Sequence, residues 1–200
     1  MKALLQRRFL TEALLNMDNG AAAYRRFLEG DDKGIEDIIS EYKDSLILYL
    51  VSFCGNIPTA EDLMEDVFVK LVVDKPAFRA KSSFKTWLFA IAGNVARDYL
   101  RKAKRRRITS IEELEYEPGE EEDLLYEHFR SEEKLLVHRC MDKLTPDYKQ
   151  VLYLSFFEGF SNTETARIMK KTNRQVENLL YRAKQSLRSE MRKEGFTYEE

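Results

Sequence analysis

Glycine and proline are scarce in this chain, at 8 and 4 residues. Those that matter stand where helices would end: Gly55 and Pro58, Pro76, Pro118 and Gly119, Pro146, and Gly159. No stretch keeps up the period-two alternation of a half-buried strand, so the expected fold is all-α. Cysteine is nearly absent. Cys54 and Cys140 are isolated, with no metal-ligand spacing around either, and both read as reduced, buried residues of a cytoplasmic protein. No apolar run is long enough to span a bilayer, which argues against membrane insertion. The opening MKALLQRRFLTEALL is interrupted by Arg7, Arg8 and Glu12, unlike a signal peptide.

Charge is abundant, and it is sorted into blocks. Residues 31–74 hold 11 acids and 3 bases, and residues 75–107 hold 11 bases and 1 acid. Residues 108–133 return to 11 acids and 1 base, and residues 134–200 carry 13 bases and 9 acids. A swing from −8 to +10 to −10 fits separate partners better than evenly solvated helix faces.

The apolar pattern divides the chain in two. Ile35, Ile38, Ile39, Tyr42, Leu46, Tyr49, Leu50 and Phe53 form a helical stripe. A second helix is expected over Ala60–Val73. A third is expected over Ser83–Arg106, with Phe84, Trp87, Leu88, Ile91, Val95, Tyr99 and Leu100 on its buried side. Ser110–Asp123 is acidic, contains Pro-Gly and lacks an apolar face, so it reads as a flexible linker. The expected organisation is an extension over 1–23, a helical domain over 24–107, an acidic linker over 108–130 and a smaller helical domain over 131–195. In the smaller domain Thr145 before Pro146 marks a helix start, and Val151, Leu152, Leu154 and Phe156 follow as apolar positions.

The segment from Glu158 to Arg188 carries the sharpest signal. Ser161 with Glu164, and Thr172 with Gln175, are two capping boxes with little room for a loop between them. That spacing is the layout of a helix-turn-helix, whose second helix enters the DNA major groove. Val176, Leu179, Leu180 and Ala183 are expected inside. Thr172 starts the helix, and Asn173, Arg174, Gln175, Asn178, Tyr181, Arg182 and Lys184 are left to face DNA. Arg suits guanine, and Asn or Gln suits adenine.

Two further blocks carry chemistry. In NVARDYLRKAKRRR, helical spacing puts Asn94, Arg97, Arg101 and Arg105 on one side, a surface suited to phosphates. In AEDLMEDVFVKL, Asp62 and Asp66 share a face with Glu65 beside them and Phe68 on the neighbouring face, which reads as a docking surface for a protein. The competing reading makes Asp62 and Asp66 magnesium ligands of a nuclease, but no third ligand or catalytic partner is visibly placed to finish that site.

These blocks, in this order, resemble a bacterial RNA polymerase sigma factor of the extracytoplasmic-function (ECF) type. The matching stretches are AEDLMEDVFVKL, SSFKTWLFAIAGNVARDYLRKAKRR, and LTPDYKQVLYLSFFEGFSNTETARIM followed by RQVENLLYRAKQSLR. The resemblance implies a non-enzymatic protein without cofactor or metal, which binds core RNA polymerase, directs it to a promoter and helps melt the −10 element. It allows an anti-sigma factor as a further partner. It implies polymerase docking through Glu61, Asp62, Glu65, Asp66 and Phe68. The loop from Phe78 to Ser83, including Lys81, would join Ile91 and Asn94 in a pocket for one flipped −10 base. Arg97, Asp98, Arg101 and Lys102 would hold the flanking strand, and the helix-turn-helix would read the −35 element. The chain departs from the family pattern at Glu65, where Gln is common, at Lys170, where the turn often has Gly, and at Glu177 and Leu179, where a basic residue is common. The alternative is a helix-turn-helix regulator that acts without polymerase docking.

Overall fold

A computed structural model describes residues 19–109, 137 and 139–196 of the chain. The acidic linker and the first 18 residues lie outside the described residues. Among the described residues every regular element is helical.

The first unit has four helices. Helix α1 (Asn19–Leu28) turns Ala23, Tyr24 and Phe27 inward. Helix α2 (Lys33–Cys54) buries Ile38, Tyr42, Leu46, Tyr49, Leu50 and Phe53 at helical spacing, and ends at Gly55 in the left-handed conformation. Ile39, expected in that stripe, is exposed because it lies about 100° around the helix from Ile38. Helix α3 (Ile57–Val73) begins at Asn56, whose side chain accepts from the Thr59 N–H at 2.9 Å, with proline in its first turn. Helix α4 (Phe84–Thr109) starts where the Ser83 hydroxyl accepts from the Thr86 N–H at 3.2 Å.

Helix α4 buries more on one side, and less at its end, than its pattern suggested. Phe84, Leu88, Phe89, Ala92 and Ala96 are fully buried, while Trp87, Ile91 and Val95 are half-buried. Trp87 packs in an aromatic cluster with Tyr24, Phe78 and Phe84. Tyr99 and Leu100, expected inside, are exposed. At 26 residues the helix is about 39 Å long, and at Tyr99 it lines an open groove with Leu63, Asp66, Val69 and Val73 of α3.

The second unit follows a helical stretch at 139–142. Helix α5 (Pro146–Leu152) starts at Thr145 and runs into a π-helical turn, Tyr153–Phe157, closed by the Glu158 N–H donating to the Tyr153 carbonyl at 3.2 Å. Helices α6 (Asn162–Met169) and α7 (Asn173–Lys193) complete it. The wider π turn changes the register. Tyr153 and Leu154 point inward, whereas Phe156, expected to follow them, is 58% exposed. Cys140 is buried and Cys54 half-buried, and neither is in a disulfide.

The two units lie against each other, α4 on α6 and α2 on α5, and their buried side chains form one contiguous cluster. Phe89 meets Phe160 edge-on at 5.1 Å between ring centres, and Tyr49 stacks on Tyr153 at 6.3 Å.

The crossing of α1 and α2 depends on Gly34. A Cβ there would lie 2.2 Å from the Ala23 carbonyl oxygen and 2.7 Å from the Phe27 nitrogen, both backbone atoms that cannot step aside. Gly34→Ala is expected to cost about 1–3 kcal/mol. Urea unfolding followed by circular dichroism reads this as a lower midpoint at unchanged slope.

Candidate nucleic-acid interface

The helix-turn-helix is built by local hydrogen bonds. Both capping boxes close. The Ser161 N–H donates to Glu164 Oε2 at 3.0 Å, and the Glu164 N–H donates to Ser161 Oγ at 3.3 Å. At α7, the Thr172 N–H donates to Gln175 Oε1 at 2.8 Å, and the Gln175 N–H donates to Thr172 Oγ1 at 3.2 Å. Between the helices the Lys171 N–H reaches the Ala166 carbonyl at 2.9 Å and the Lys170 N–H reaches the Arg167 carbonyl at 3.4 Å. That is a Schellman ending with Lys170 in the left-handed region, φ 56° and ψ 42°. Lysine therefore keeps the turn that glycine would make.

Helix α7 sorts its residues as its pattern predicts. Val176 and Ala183 are buried, and Leu179 and Leu180 half-buried. Thr172, Asn173, Arg174, Gln175, Asn178, Tyr181, Arg182 and Lys184 are exposed. Beside Thr172, which shares the capping box, three of these also have intramolecular work. Gln175 caps the helix, Asn173 Nδ2 donates to Thr163 Oγ1 at 3.2 Å, and Lys184 Nζ stands 4.9 Å from the Phe156 ring centre. Arg174, Asn178 and Arg182 project from the first three turns of the helix. Arg182 and Asn178 also line a shallow groove with Tyr148 and Lys171.

On α4 the expected residues separate into three settings. Asn94 Oδ1 accepts from Arg97 Nη2 at 3.0 Å, so these two act as a pair. Arg101 and Asp98 form an ion pair at 3.0 Å near exposed Lys102. Ile91 is half-buried, and Phe78 is half-buried with its ring against Phe84 and Trp87 at 5.6 and 5.3 Å. Lys81 is exposed, and its carbonyl accepts from Arg167 Nη1 at 2.9 Å.

The acidic face of α3 needs one correction. Glu61, Asp62, Glu65 and Asp66 are exposed, but Phe68 is only 7% exposed. Phe68 stands four residues after Met64 and three before Leu71, on the core stripe. The exposed apolar residues of this helix are Val69, Val72 and Val73, the last at 72%. Asp62, Asp66, Val69 and Val73 follow one another at helical spacing, a stripe of acid then valine. The same spacing was legible in the sequence, where the bulk of Phe68 drew the docking role away from the valines.

Glu164 ties the two units together. Burial alone raises its pKa, but hydrogen bonds from Ser161 and Thr86 and the nearby Arg167 charge outweigh this and hold the carboxyl below its ordinary value. Stability tied to it is present above the ordinary carboxylate pKa and is lost as the pH falls through the lowered one.

Comparison with known proteins gives consistent matches. The family described as Sigma-70 region 2 matches residues 23–106, and that described as Sigma-70, region 4, matches residues 134–187. The chain is 30% identical over 165 residues to RNA polymerase sigma factor YlaC of Bacillus subtilis (strain 168), covering 80% of this chain and 92% of that protein. It is 27% identical over 154 residues to ECF RNA polymerase sigma factor SigX of the same organism, covering 75% of this chain and 79% of that one. The fold is similar to that of the sigma factor RpoE solved with the anti-sigma factor NepR from Bartonella quintana. The TM-score is 0.61 at 22% identity, over 78% of this chain and 98% of that one.

Because a left-handed residue with a Cβ is strained, Lys170→Gly is expected to stabilise the protein by about 0.5–1 kcal/mol. Lys170→Val should destabilise it. Paired thermal melts check both signs.

Proposed function

From the premise that this chain belongs to the sigma-70 family of RNA polymerase sigma factors, in its ECF branch, we propose that its three charged surfaces divide the work of promoter recognition. The protein binds core RNA polymerase, directs it to specific promoters and helps open the −10 element. The observation that carries this reading is the ordered match of both family regions to the two helical units. Sigma factors are non-enzymatic initiation factors, and this chain is assigned no catalytic chemistry or cofactor of its own. No helix among the described residues is long and apolar enough to cross a membrane. The site of action is proposed to be the cytoplasm, where polymerase meets DNA.

The division into docking and −10 functions over 24–107, an acidic linker over 108–130 and −35 recognition over 131–195 is part of the proposal. Docking falls to Glu61, Asp62, Glu65 and Asp66, with Val69 and Val73 in the apolar role first given to Phe68. Charge complementarity there governs encounter rate and register more than raw affinity. Single-strand capture falls to Asn94 and Arg97 with Lys81, Asp98, Arg101 and Lys102. Holding a base outside the stack offsets an unstacking cost of a few kcal/mol, which makes opening selective. The −35 element is read by Arg174, Asn178 and Arg182, with Asn173, Gln175, Tyr181 and Lys184 around them. An anti-sigma factor is a further partner class, by likeness to the Bartonella quintana protein solved with one. A helix-turn-helix regulator acting without polymerase would leave the acid and valine stripe of α3 without a task.

Reversing Asp62 and Asp66 to lysine should weaken binding to core polymerase in a surface-immobilised assay while the circular dichroism spectrum stays native. Unchanged affinity would count against docking through α3. Arg174→Ala should lower use of the cognate promoter by about 1–3 kcal/mol, and the loss should depend on the −35 sequence. A uniform loss on all promoters would make it a phosphate contact instead.

A further inference from the structure

Helix α4 holds a single glycine, Gly93, in its interior. Glycine is a poor helix former, and the backbone here is ordinary right-handed helix, so no turn calls for it. What Gly93 makes room for is close at hand. A Cβ there would lie 3.0 Å from the Tyr49 hydroxyl, 3.1 Å from Arg97 Nη1 and 3.2 Å from Arg97 Nη2. The Arg97 guanidinium therefore lies back along its own helix, over the bare backbone one turn before it. Its Nη2 donates to Asn94 Oδ1 at 3.0 Å and, at a longer 3.4 Å, to the Ile168 carbonyl of α6.

Tyr49 closes the other side of this berth. It is fully buried at the seam between the two units, where it stacks on Tyr153. Ring contacts with Phe53 at 5.2 Å and Phe89 at 5.3 Å clamp it. Its hydroxyl has no hydrogen-bond partner among the described residues. A buried hydroxyl without a partner is costly, so keeping one calls for a reason. Burial raises its pKa and the Arg97 charge opposes the rise, so the oxygen and the guanidinium sense each other. Gly93, Tyr49 and Asn94 all belong to the first unit, and the berth is complete without α6.

The consequence falls on Asn94. A free amide side chain can turn over and exchange its donor for its acceptor. With Oδ1 held by Arg97, Nδ2 is the group left to meet a base. We propose that Gly93 and Tyr49 are positioning residues. They berth the Arg97 guanidinium against Asn94, and so fix which hydrogen-bonding group α4 offers to an unpaired promoter base. This rests on the assignment of Asn94 and Arg97 to single-strand capture. The berth sets selectivity among bases, while the charges of Arg101 and Lys102 supply affinity for any strand.

Gly93→Ala removes the room without removing the charge. Tyr49 is clamped, so Arg97, the flexible neighbour, is displaced. The assay uses holoenzyme assembled with core polymerase and a labelled single strand carrying the −10 element of a promoter it transcribes. A strand of the same length with those bases scrambled is the reference. Gly93→Ala should lower the ratio of the two affinities about tenfold and leave the scrambled strand unaffected. The melting midpoint of the free chain should not fall, because alanine favours the helix. An unchanged ratio, or an equal loss on both strands, would overturn the positioning role. Tyr49→Phe adds no atom and removes an unpaired hydroxyl. It should keep or raise the midpoint yet lower the ratio about threefold, two changes that a purely structural tyrosine would not combine. A ratio that stays put would overturn the part given to Tyr49. Arg97→Ala reads the underlying assignment. If it leaves the ratio intact, the capture reading fails and the berth falls with it. A ratio lost in Arg97→Ala but kept in Gly93→Ala overturns the berth alone.

Discussion

Helix α4 has two sets of neighbours to satisfy, and that constraint organises the molecule. Phe84, Leu88, Phe89, Ala92 and Ala96 are fully buried, and the helix packs both on the helices of its own unit and on α6. One side closes the core of α1, α2 and α3. Another meets α6. Small residues at Ala92, Gly93 and Ala96 let neighbours come close, and the Tyr49 hydroxyl lies where a Gly93 Cβ would crowd it at 3.0 Å. The same helix carries the basic side chains proposed to hold the single strand, so its packing and its proposed chemistry share one stretch of 26 residues.

The helix-turn-helix is stabilised differently. Its frame comes from caps, not from a large core. Two capping boxes and a Schellman turn satisfy the end groups of α6 and α7 with short-range bonds. That leaves the outer side of α7 polar without cost to folding, as the proposed reading of the −35 element would require. Burial also pushes the hydroxyls of Tyr49 and Tyr153 up in pKa, so both stay neutral at the seam across the physiological range.

What could be read from the sequence was what is local. Both caps of the helix-turn-helix, the α2 stripe and the outward residues of α7 depend on spacings of three or four. Errors arose where a non-local or irregular feature intervened. The π turn at Tyr153–Phe157 has no residue signature, and it carried Phe156 outward. An aromatic beside acids suggests docking at Phe68, yet its position relative to Met64 and Leu71 puts it in the core. The periodicity of α4 continues through Tyr99 and Leu100, yet Tyr99 there lines an open groove beside α3 and both are exposed. The seam between the two units was invisible, since Lys85 with Glu158 and Thr86 with Glu164 are joined only by the fold.

The most direct test of the account is run-off transcription with purified core polymerase on fragments of the protein's own genome, with and without the protein. The account predicts discrete transcripts that require it, from start sites sharing −35 and −10 elements. Protein-dependent footprints with no transcript would contradict it and make the chain a DNA-binding regulator instead.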